Sequence, residues 1–198
     1  MKKKILIATN NLNKINEFKE MLDLNKYEVY SLKDLNIDID VEETGNSYEE
    51  NAFIKAKAFS YLKDYIVIAD DSGLEIDALG EHFPGIKTHR YAESLGWFPD
   101  ALYKILELMK DKNNRSAHYT CAICAMNIAA DPQYFYGFCY GKIDTEIKGN
   151  NGFGFDPIFI SDELNINLGL ASDEEKNAIS HRGKALKEFI KYLEENNI

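Results

Sequence analysis

Residues 65–74 read Tyr-Ile-Val-Ile-Ala-Asp-Asp-Ser-Gly-Leu, an apolar run followed by two carboxylates and a Ser-Gly pair. The run Tyr65–Ala69 predicts a buried strand that ends at Asp70 and Asp71. In an α/β sheet, strand ends open into a crevice where ligands bind. Adjacent carboxylates at such a place can hold a hard cation such as Mg²⁺. An isolated Asp-Asp pair is also typical of a turn cap. Other motifs in the chain are therefore needed to distinguish a metal site from a turn cap.

Around this strand the chain alternates between strand and helix patterns, which predicts an α/β sheet. The predicted strands are Lys4–Ala8, Tyr27–Ser31, Tyr65–Ala69, Ala117–Ile128 and Gln133–Ile143. Helices are predicted after Asn13, from a capping box at Ser47 and Glu50 to about Tyr61, over Asp100–Met109, and from about Ser180. The last two strands flank Asp131-Pro132 like an antiparallel pair, so we expect a mixed sheet.

Composition places the chain among globular proteins. Its 198 residues are 45% apolar and 28% charged, which suits one large domain or two closely packed lobes. The net charge of −10 opposes non-specific binding to nucleic acid or to anionic membranes. The apolar run Ile5–Ala8 is too short for a signal peptide or a membrane span, and we therefore expect a cytoplasmic protein.

The three cysteines do not indicate a disulfide framework, because their number is odd. Cys121 and Cys124 form a C-x-x-C pattern, but it lies in an apolar run without a second pair. This context favours a buried strand over a zinc or redox site.

The turn after the first strand concentrates phosphate-binding groups at a helix N-terminus. Its residues are Thr9, Asn10, Asn11, Leu12, Asn13 and Lys14. Backbone N–H groups and the helix dipole favour an anion there, and the polar side chains add donors. Thr and Asn are also good helix caps, so an ordinary capped turn is the alternative.

Two further groups complete the candidate site. Glu42 and Glu43 are either a solvated acidic pair or a source of metal ligands. In the second case Glu42 and Asp71 would bridge one Mg²⁺. The donors of Lys176–Lys184 form either a base pocket with Phe153–Asp156 or a basic stripe that neutralises Asp173–Glu175.

These motifs together resemble the inosine triphosphate pyrophosphatases, which act on non-standard purine nucleoside triphosphates. The resemblance covers nearly the whole chain, through Ala8–Lys14, Glu42–Gly45, Glu50–Ala52, Ala69–Leu74, Pro84–Ile86, Gly152–Phe159 and Ser180–Leu186. The sequence departs from the family pattern at Asn10, where Gly is usual, at Phe155, where Tyr or Trp is more frequent, and in the run Thr88–Glu93, so a substrate contact by Arg90 stays open.

The resemblance implies an α/β fold with two lobes on a long mixed sheet flanked by helices, forming one domain over residues 1–198. It also implies a homodimer, a nucleotide in the cleft between the lobes, and Mg²⁺-dependent cleavage of ITP, dITP and XTP to the monophosphate and pyrophosphate. By the same resemblance Glu42 and Asp71 are the metal ligands, and Asp71 is also the catalytic base. The implied substrate contacts are the turn Thr9–Lys14 with Ser72, Phe153, Gly154, Phe155, Asp156, Lys176, His181 and Arg182.

Three other functions remain open at this point. They are a related septum-associated nucleotide pyrophosphatase that prefers other bases, a phosphatase that releases orthophosphate, and a nucleotide-binding module without catalysis. The chain keeps the acids that the chemistry requires, which argues against the binding module. The division of roles between Asp70 and Asp71 also stays open.

Overall fold

The computed structural model describes residues 2–198 and contains a six-stranded sheet in the order β2-β1-β3-β4-β5-β6. The strands are β1 (Lys3–Ile7), β2 (Tyr27–Ser31), β3 (Ile66–Ile76), β4 (Ser116–Met126), β5 (Gln133–Ile143) and β6 (Phe159–Ser161). Strand β1 pairs in parallel with β2 and β3, whereas β5 and β6 are antiparallel. The predicted α/β class with a mixed sheet is therefore confirmed.

Within residues 2–198, six α-helices accompany the sheet. They are α1 (Leu12–Met21), α2 (Tyr48–Phe59), α3 (Thr88–Ser94), α4 (Asp100–Leu108), α5 (Asp173–Ile179) and α6 (His181–Glu195). In the described part of the chain, no helix has the length and apolarity that crossing a membrane requires.

The chain divides into two compact units. Unit 1 contains residues 1–71, 121–137 and 183–198, and unit 2 contains residues 72–120 and 138–182. In unit 1, both faces of β1 are covered, because Ile5 and Ile7 pack with α1 and α6 while Leu6 packs with α2. Unit 2 has its own core, in which α4 packs with residues that include Leu74 and Phe159. Strands buried on both faces are typical of α/β sheets.

The structure corrects the prediction that the strand of residues 65–69 ends at Asp70. Strand β3 continues to Ile76, and both Asp70 and Asp71 lie within it. The apolar residues Leu74 and Ile76 are fully buried, so the strand has a core to pack against beyond the carboxylates. A turn cap is thereby excluded for the acidic pair.

Gly73 explains why a Ser-Gly pair occurs inside a strand. A Cβ atom at this position would clash with the carbonyl oxygen of Gly85 and lie 2.8 Å from Thr88 Oγ1. Glycine within a strand commonly marks such a close approach of another backbone segment. The pair therefore serves packing, and no turn forms there.

The cysteines are free and buried, as predicted. Cys121 and Cys124 both lie in β4, three residues apart, so their side chains point to opposite faces. Accordingly Cys121 belongs to one core cluster of unit 1 and Cys124 to the other. Burial raises the pKa of the Cys124 thiol to about 12, which is the behaviour of a structural cysteine.

Candidate active site

In unit 1, β3 places two buried carboxylates side by side in sequence. Asp70 is 1% exposed, and its Oδ2 lies 2.9 Å from the Lys14 ammonium and 4.0 Å from Cys121 Sγ. The ion pair fixes Lys14, which the sequence assigned to the phosphate turn, against the strand. Asp70 is thus positioned to orient Lys14.

Asp71 faces a different set of partners. The Asn51 side-chain amide donates to Asp71 Oδ2 at 3.0 Å, and the Lys55 ammonium lies 3.8 Å from Oδ1. Burial raises the pKa of the Asp71 carboxyl, and the charges of Lys55 and Lys14 oppose this effect. The carboxylate is therefore costly to keep ionised, and these neighbours are what stabilise its charged form.

Lys55 connects Asp71 to the acidic loop before α2. Its ammonium forms an ion pair with Glu43, while Glu42 is exposed in the same loop. Burial alone would lower the pKa of Lys55, but the carboxylates of Asp71, Asp70 and Glu43 outweigh burial and raise it. Lys55 thus remains protonated among these acids.

Asn51 and Lys55 were not assigned a role from sequence. They lie four residues apart on α2, on the same buried face as Ala52, Ala56 and Phe59. A polar pair at helical spacing within an otherwise apolar face is the signal that could have identified them.

The turn before α1 contains a hydrogen-bonded N-cap. Asn11 Oδ1 accepts from the N–H groups of Asn13 at 3.0 Å and Lys14 at 3.3 Å, and Thr9 Oγ1 accepts from the Asn11 N–H. Asn10 donates to the carbonyl of Ile39 at 3.2 Å. The capped turn considered from sequence is therefore present, and an arriving phosphate would compete with the Asn11 carboxamide for the same N–H groups.

A cavity of about 600 Å³ adjoins this turn within unit 1. Its walls come from the turn, from the first turn of α1 and from the segment after β2. The lining residues are Thr9, Asn10, Leu12, Ile15, Lys33, Asn36, Ile37 and Asp38. The turn thus borders an open cavity whose walls combine polar and apolar side chains, and exposed Leu12 and Asn13 lie at the helical end of the turn.

In unit 2, five of the eight predicted substrate contacts that lie there meet. Arg182 Nη2 donates to Ser72 Oγ at 2.9 Å, and its guanidinium lies 5.8 Å from the centre of the Phe153 ring. The Lys176 ammonium lies 4.3 Å from the same ring centre and 2.6 Å from Asp156 Oδ2. Five residues from four chain segments are therefore held together by direct contacts.

This network contradicts the alternative of a basic stripe facing Asp173–Glu175. Lys176 pairs with Asp156, and both side chains are at least 95% buried. Glu175 instead completes a capping box with Ser172 at the start of α5. The lysine and arginine belong to a buried polar cluster rather than to a solvated charge pattern.

The glycine-rich loop shapes the cluster. Gly152 and Gly154 both have left-handed φ angles, +68° and +66°, which glycine adopts without strain. A Cβ atom at Gly152 would also clash with the Asp156 carboxylate. The Phe153 N–H donates to Asp156 Oδ2 at 2.9 Å, so the loop fixes the carboxylate that Lys176 binds.

The structure also places Phe155 and Arg90, two residues in segments where the sequence departs from the family pattern. Phe155 was expected to offer a stacking face, but it is 2% exposed and packs edge-on against Phe98 in the core. The half-buried Phe153 presents the ring at this site instead. Arg90, whose contact with substrate the sequence left open, is exposed on α3.

His181 is the first residue of α6 and is nearly buried. Its ring stacks on Tyr119 of β4, with ring centroids 4.8 Å apart and planes inclined by 11°. Tyr119 was not singled out from sequence, because an aromatic residue in an alternating strand pattern is typical of core packing.

The acidic groups of unit 1 have the chemistry that Mg²⁺ prefers. Three carboxylates, those of Glu43, Asp70 and Asp71, contact two lysines, Lys14 and Lys55. Glu42 lies in the same loop as Glu43 and is exposed. Across residues 2–198, no three His, Cys, Asp or Glu side chains converge as a protein-only metal site would require. An ion held by one or two carboxylates together with substrate phosphates fits this donor set.

Known proteins resemble this chain over nearly its whole length. The model of the Ham1 family matches residues 5–192. A dITP/XTP pyrophosphatase of Bacillus subtilis (strain 168) is 40% identical over 194 residues, covering 97% of this chain and 98% of that protein. One of Staphylococcus epidermidis is 42% identical over 190 residues and covers 96% of each chain.

Solved structures agree with these relatives. The Staphylococcus aureus Ham1 protein superposes with a TM-score of 0.85 at 38% identity, covering 98% of this chain and 100% of that one. The structure of a nucleoside-triphosphatase / dITP/XTP pyrophosphatase from Mycobacterium abscessus superposes with a TM-score of 0.71 at 33% identity. It covers 94% of this chain and 98% of that one. The family resemblance inferred from the sequence motifs is confirmed, and the chain belongs to the Ham1 family.

Proposed function

We propose that this chain hydrolyses the non-standard purine nucleoside triphosphates dITP, XTP and ITP to the monophosphate and pyrophosphate, and so removes them from the nucleotide pool. The observation that carries the proposal is the contact network of Ser72, Phe153, Asp156, Lys176 and Arg182. It combines a ring for stacking, cationic donors and one acceptor in a single buried cluster. The names of the relatives, dITP/XTP pyrophosphatase, support the same substrate class.

The unit 1 residues are proposed to act on the triphosphate. Lys14 and the turn Thr9–Asn13 bind its oxygens and stabilise the leaving pyrophosphate. Glu42 and Asp71 would hold Mg²⁺, and the ion would neutralise part of the negative charge on the phosphates. Asp71 orients or deprotonates the water that attacks the α-phosphorus in line.

The unit 2 residues are proposed to read the base. Hypoxanthine and xanthine present O6 as an acceptor and N1–H as a donor, whereas adenine presents an amino donor beside a bare N1. Donors from Lys176, His181 or Arg182 satisfy O6, and Asp156 supplies an acceptor. Adenine would leave these groups unpaired, at a cost of roughly 1–3 kcal/mol for each buried group, which corresponds to about 5- to 150-fold in rate.

A panel of nucleotides tests the proposal. Purified protein with Mg²⁺ is assayed on ITP, dITP, XTP, GTP, ATP and a pyrimidine triphosphate, and all products are identified. We expect turnover of the first three and poor turnover of ATP. Comparable rates on ITP and ATP would refute the base pocket, and a pyrimidine preference would favour the septum-associated class.

A homodimer and a cytoplasmic location remain part of the proposal. Light scattering at several protein concentrations measures the molar mass of the protein in solution. A mass of two chains is expected, and a monomer at micromolar concentration would contradict it.

A further inference from the structure

The His181 ring has an unusual neighbour within unit 2. Three histidine–aromatic pairs occur among residues 2–198, and their planes are inclined by 11° for His181–Tyr119, 31° for His118–Tyr140 and 74° for His89–Trp97. Only the first pair is nearly parallel. It is also the pair whose two rings are both 7% exposed.

Tyr119 also contacts a second aromatic ring. Its ring lies 4.8 Å from that of Phe159, inclined by 55°, and both residues belong to the buried core of unit 2. Phe159 is fully buried at the start of β6. Tyr119 therefore contacts two rings, that of core residue Phe159 and that of His181.

The direction of an imidazole N–H depends on the plane of its ring, because both nitrogens lie in that plane. A histidine side chain turns about two bonds, and a flat contact with another ring restricts the second of them. Stacked rings at 4.5–7 Å separation are energetically favoured. Tyr119 can therefore set where His181 aims its hydrogen bonds without contacting the ligand.

We propose that Tyr119 is a positioning residue that acts through His181 and sharpens discrimination between 6-keto and 6-amino purines. This inference rests on the proposed function. The stacking ring of Tyr119 is the group that matters, and its hydroxyl is not needed for the role. Losing the stack removes one restraint on the plane of the imidazole, so the hydrogen bond to the keto oxygen weakens while the poor fit of adenine changes little.

The test compares kcat and KM for ITP and ATP in variants of the full chain. Tyr119→Leu and Tyr119→Met fill the space without a ring, and we expect each to lower the ITP/ATP ratio of kcat/KM by about two- to tenfold. Tyr119→Phe keeps the stack and should keep the ratio. Tyr140→Leu is the matched control, because it removes the stacking partner of His118 and should leave the ratio unchanged.

A double-mutant cycle separates positioning from general damage. In a His181→Ala background, Tyr119→Leu should no longer change the ratio, because its effect passes through the imidazole. An equal loss in both backgrounds would overturn the inference, as would a loss in Tyr119→Phe as large as in the Leu variant. Tyr119→Met and Tyr119→Phe decide the question if the Leu variant does not fold.

The failure of this inference can be distinguished from failure of the proposed function. Wild-type protein that does not hydrolyse ITP, dITP or XTP rejects the proposed function. Wild-type protein that hydrolyses them selectively, with an unchanged ratio in Tyr119→Leu and Tyr119→Met, rejects only the role of Tyr119.

Discussion

At the scale of single residues, the carboxylate of Asp71 is the group on which the proposed chemistry depends. It is 4% exposed, and burial raises its pKa. Asn51 and Lys55 provide one hydrogen bond and one nearby positive charge. The adjacent Asp70 has a different partner, Lys14. The two neighbours in sequence therefore have separate environments, which predicts separate roles.

Asp71→Asn should reduce turnover of ITP by at least about 100-fold, because a carboxamide cannot accept the proton of the attacking water. Asp70→Asn should have a smaller effect on turnover, since its main direct contact is the ion pair that anchors Lys14. Steady-state kinetics with Mg²⁺ measure both, and circular dichroism checks that each variant is folded. Near-normal turnover in folded Asp71→Asn would remove Asp71 from its proposed role.

Sequence reasoning anticipated individual site residues better than their partners. Ser72, Phe153, Asp156, Lys176 and Arg182 were expected near a substrate, and they lie in contact with one another. Lys55 was missed because a lysine within a helix is most often exposed, and only the packed structure reveals its burial. The core position of Phe155 also could not be predicted from the sequence, since a phenylalanine ring is equally suited to packing in a core and to stacking on a base.

At the scale of secondary structure, local patterns located most elements but not all of their ends. Strand β3 was predicted to end at Asp70, because carboxylates are rare inside buried strands. It continues because Lys14 and Lys55 neutralise the two acids and because Leu74 and Ile76 find a core. Such long-range compensation leaves no local signal. The helix α5, by contrast, has a local signal in the capping box that begins at Ser172.

The N-cap of α2 provides a test at this scale. Ser47 Oγ accepts from the Glu50 N–H, as predicted, but the Glu50 carboxylate accepts from the N–H of Asn46 at 2.6 Å. Ser47→Ala should destabilise the protein by about 1 kcal/mol and lower its Tm by about 2–4 °C. Calorimetry measures this, with the exposed Ser116→Ala as control. Equal melting of the two variants would show that the cap contributes nothing.

The segment between β3 and α3 should respond to pH. Glu75 Oε2 lies 2.8 Å from His82 Nδ1, with Glu81 3.7 Å from the other ring nitrogen and His118 3.8 Å from Glu75 Oε1. The hydrogen bond and charge of Glu75 raise the pKa of His82 above 6.5. The stabilisation is therefore complete below about pH 6.5 and is lost as the pH rises through the raised value.

An NMR titration of the His82 ring tests this expectation. Wild-type protein should show a pKa above the ordinary value, and Glu75→Gln should bring it back toward 6.5. A wild-type value at or below 6.5 would mean that Glu75 does not hold the charged imidazole in solution.

At the scale of the whole molecule, charge and fold restrict the ligand. The chain carries a net charge of −10, so a polyanionic nucleotide must be attracted by local groups rather than by the overall field. Under the proposed function, Lys14 in unit 1 and Lys176 with Arg182 in unit 2 would supply such local groups. Membership of the Ham1 family, which matches residues 5–192, agrees with a chain built as one nucleotide-processing protein.

The most direct measurement of the central claim is the fate of labelled oxygen during hydrolysis of ITP in ¹⁸O-water with Mg²⁺. Attack on the α-phosphorus predicts that inosine monophosphate carries the label and that unlabelled pyrophosphate is released in equal amount. Release of labelled orthophosphate would contradict the account, because it would show stepwise removal of terminal phosphates instead.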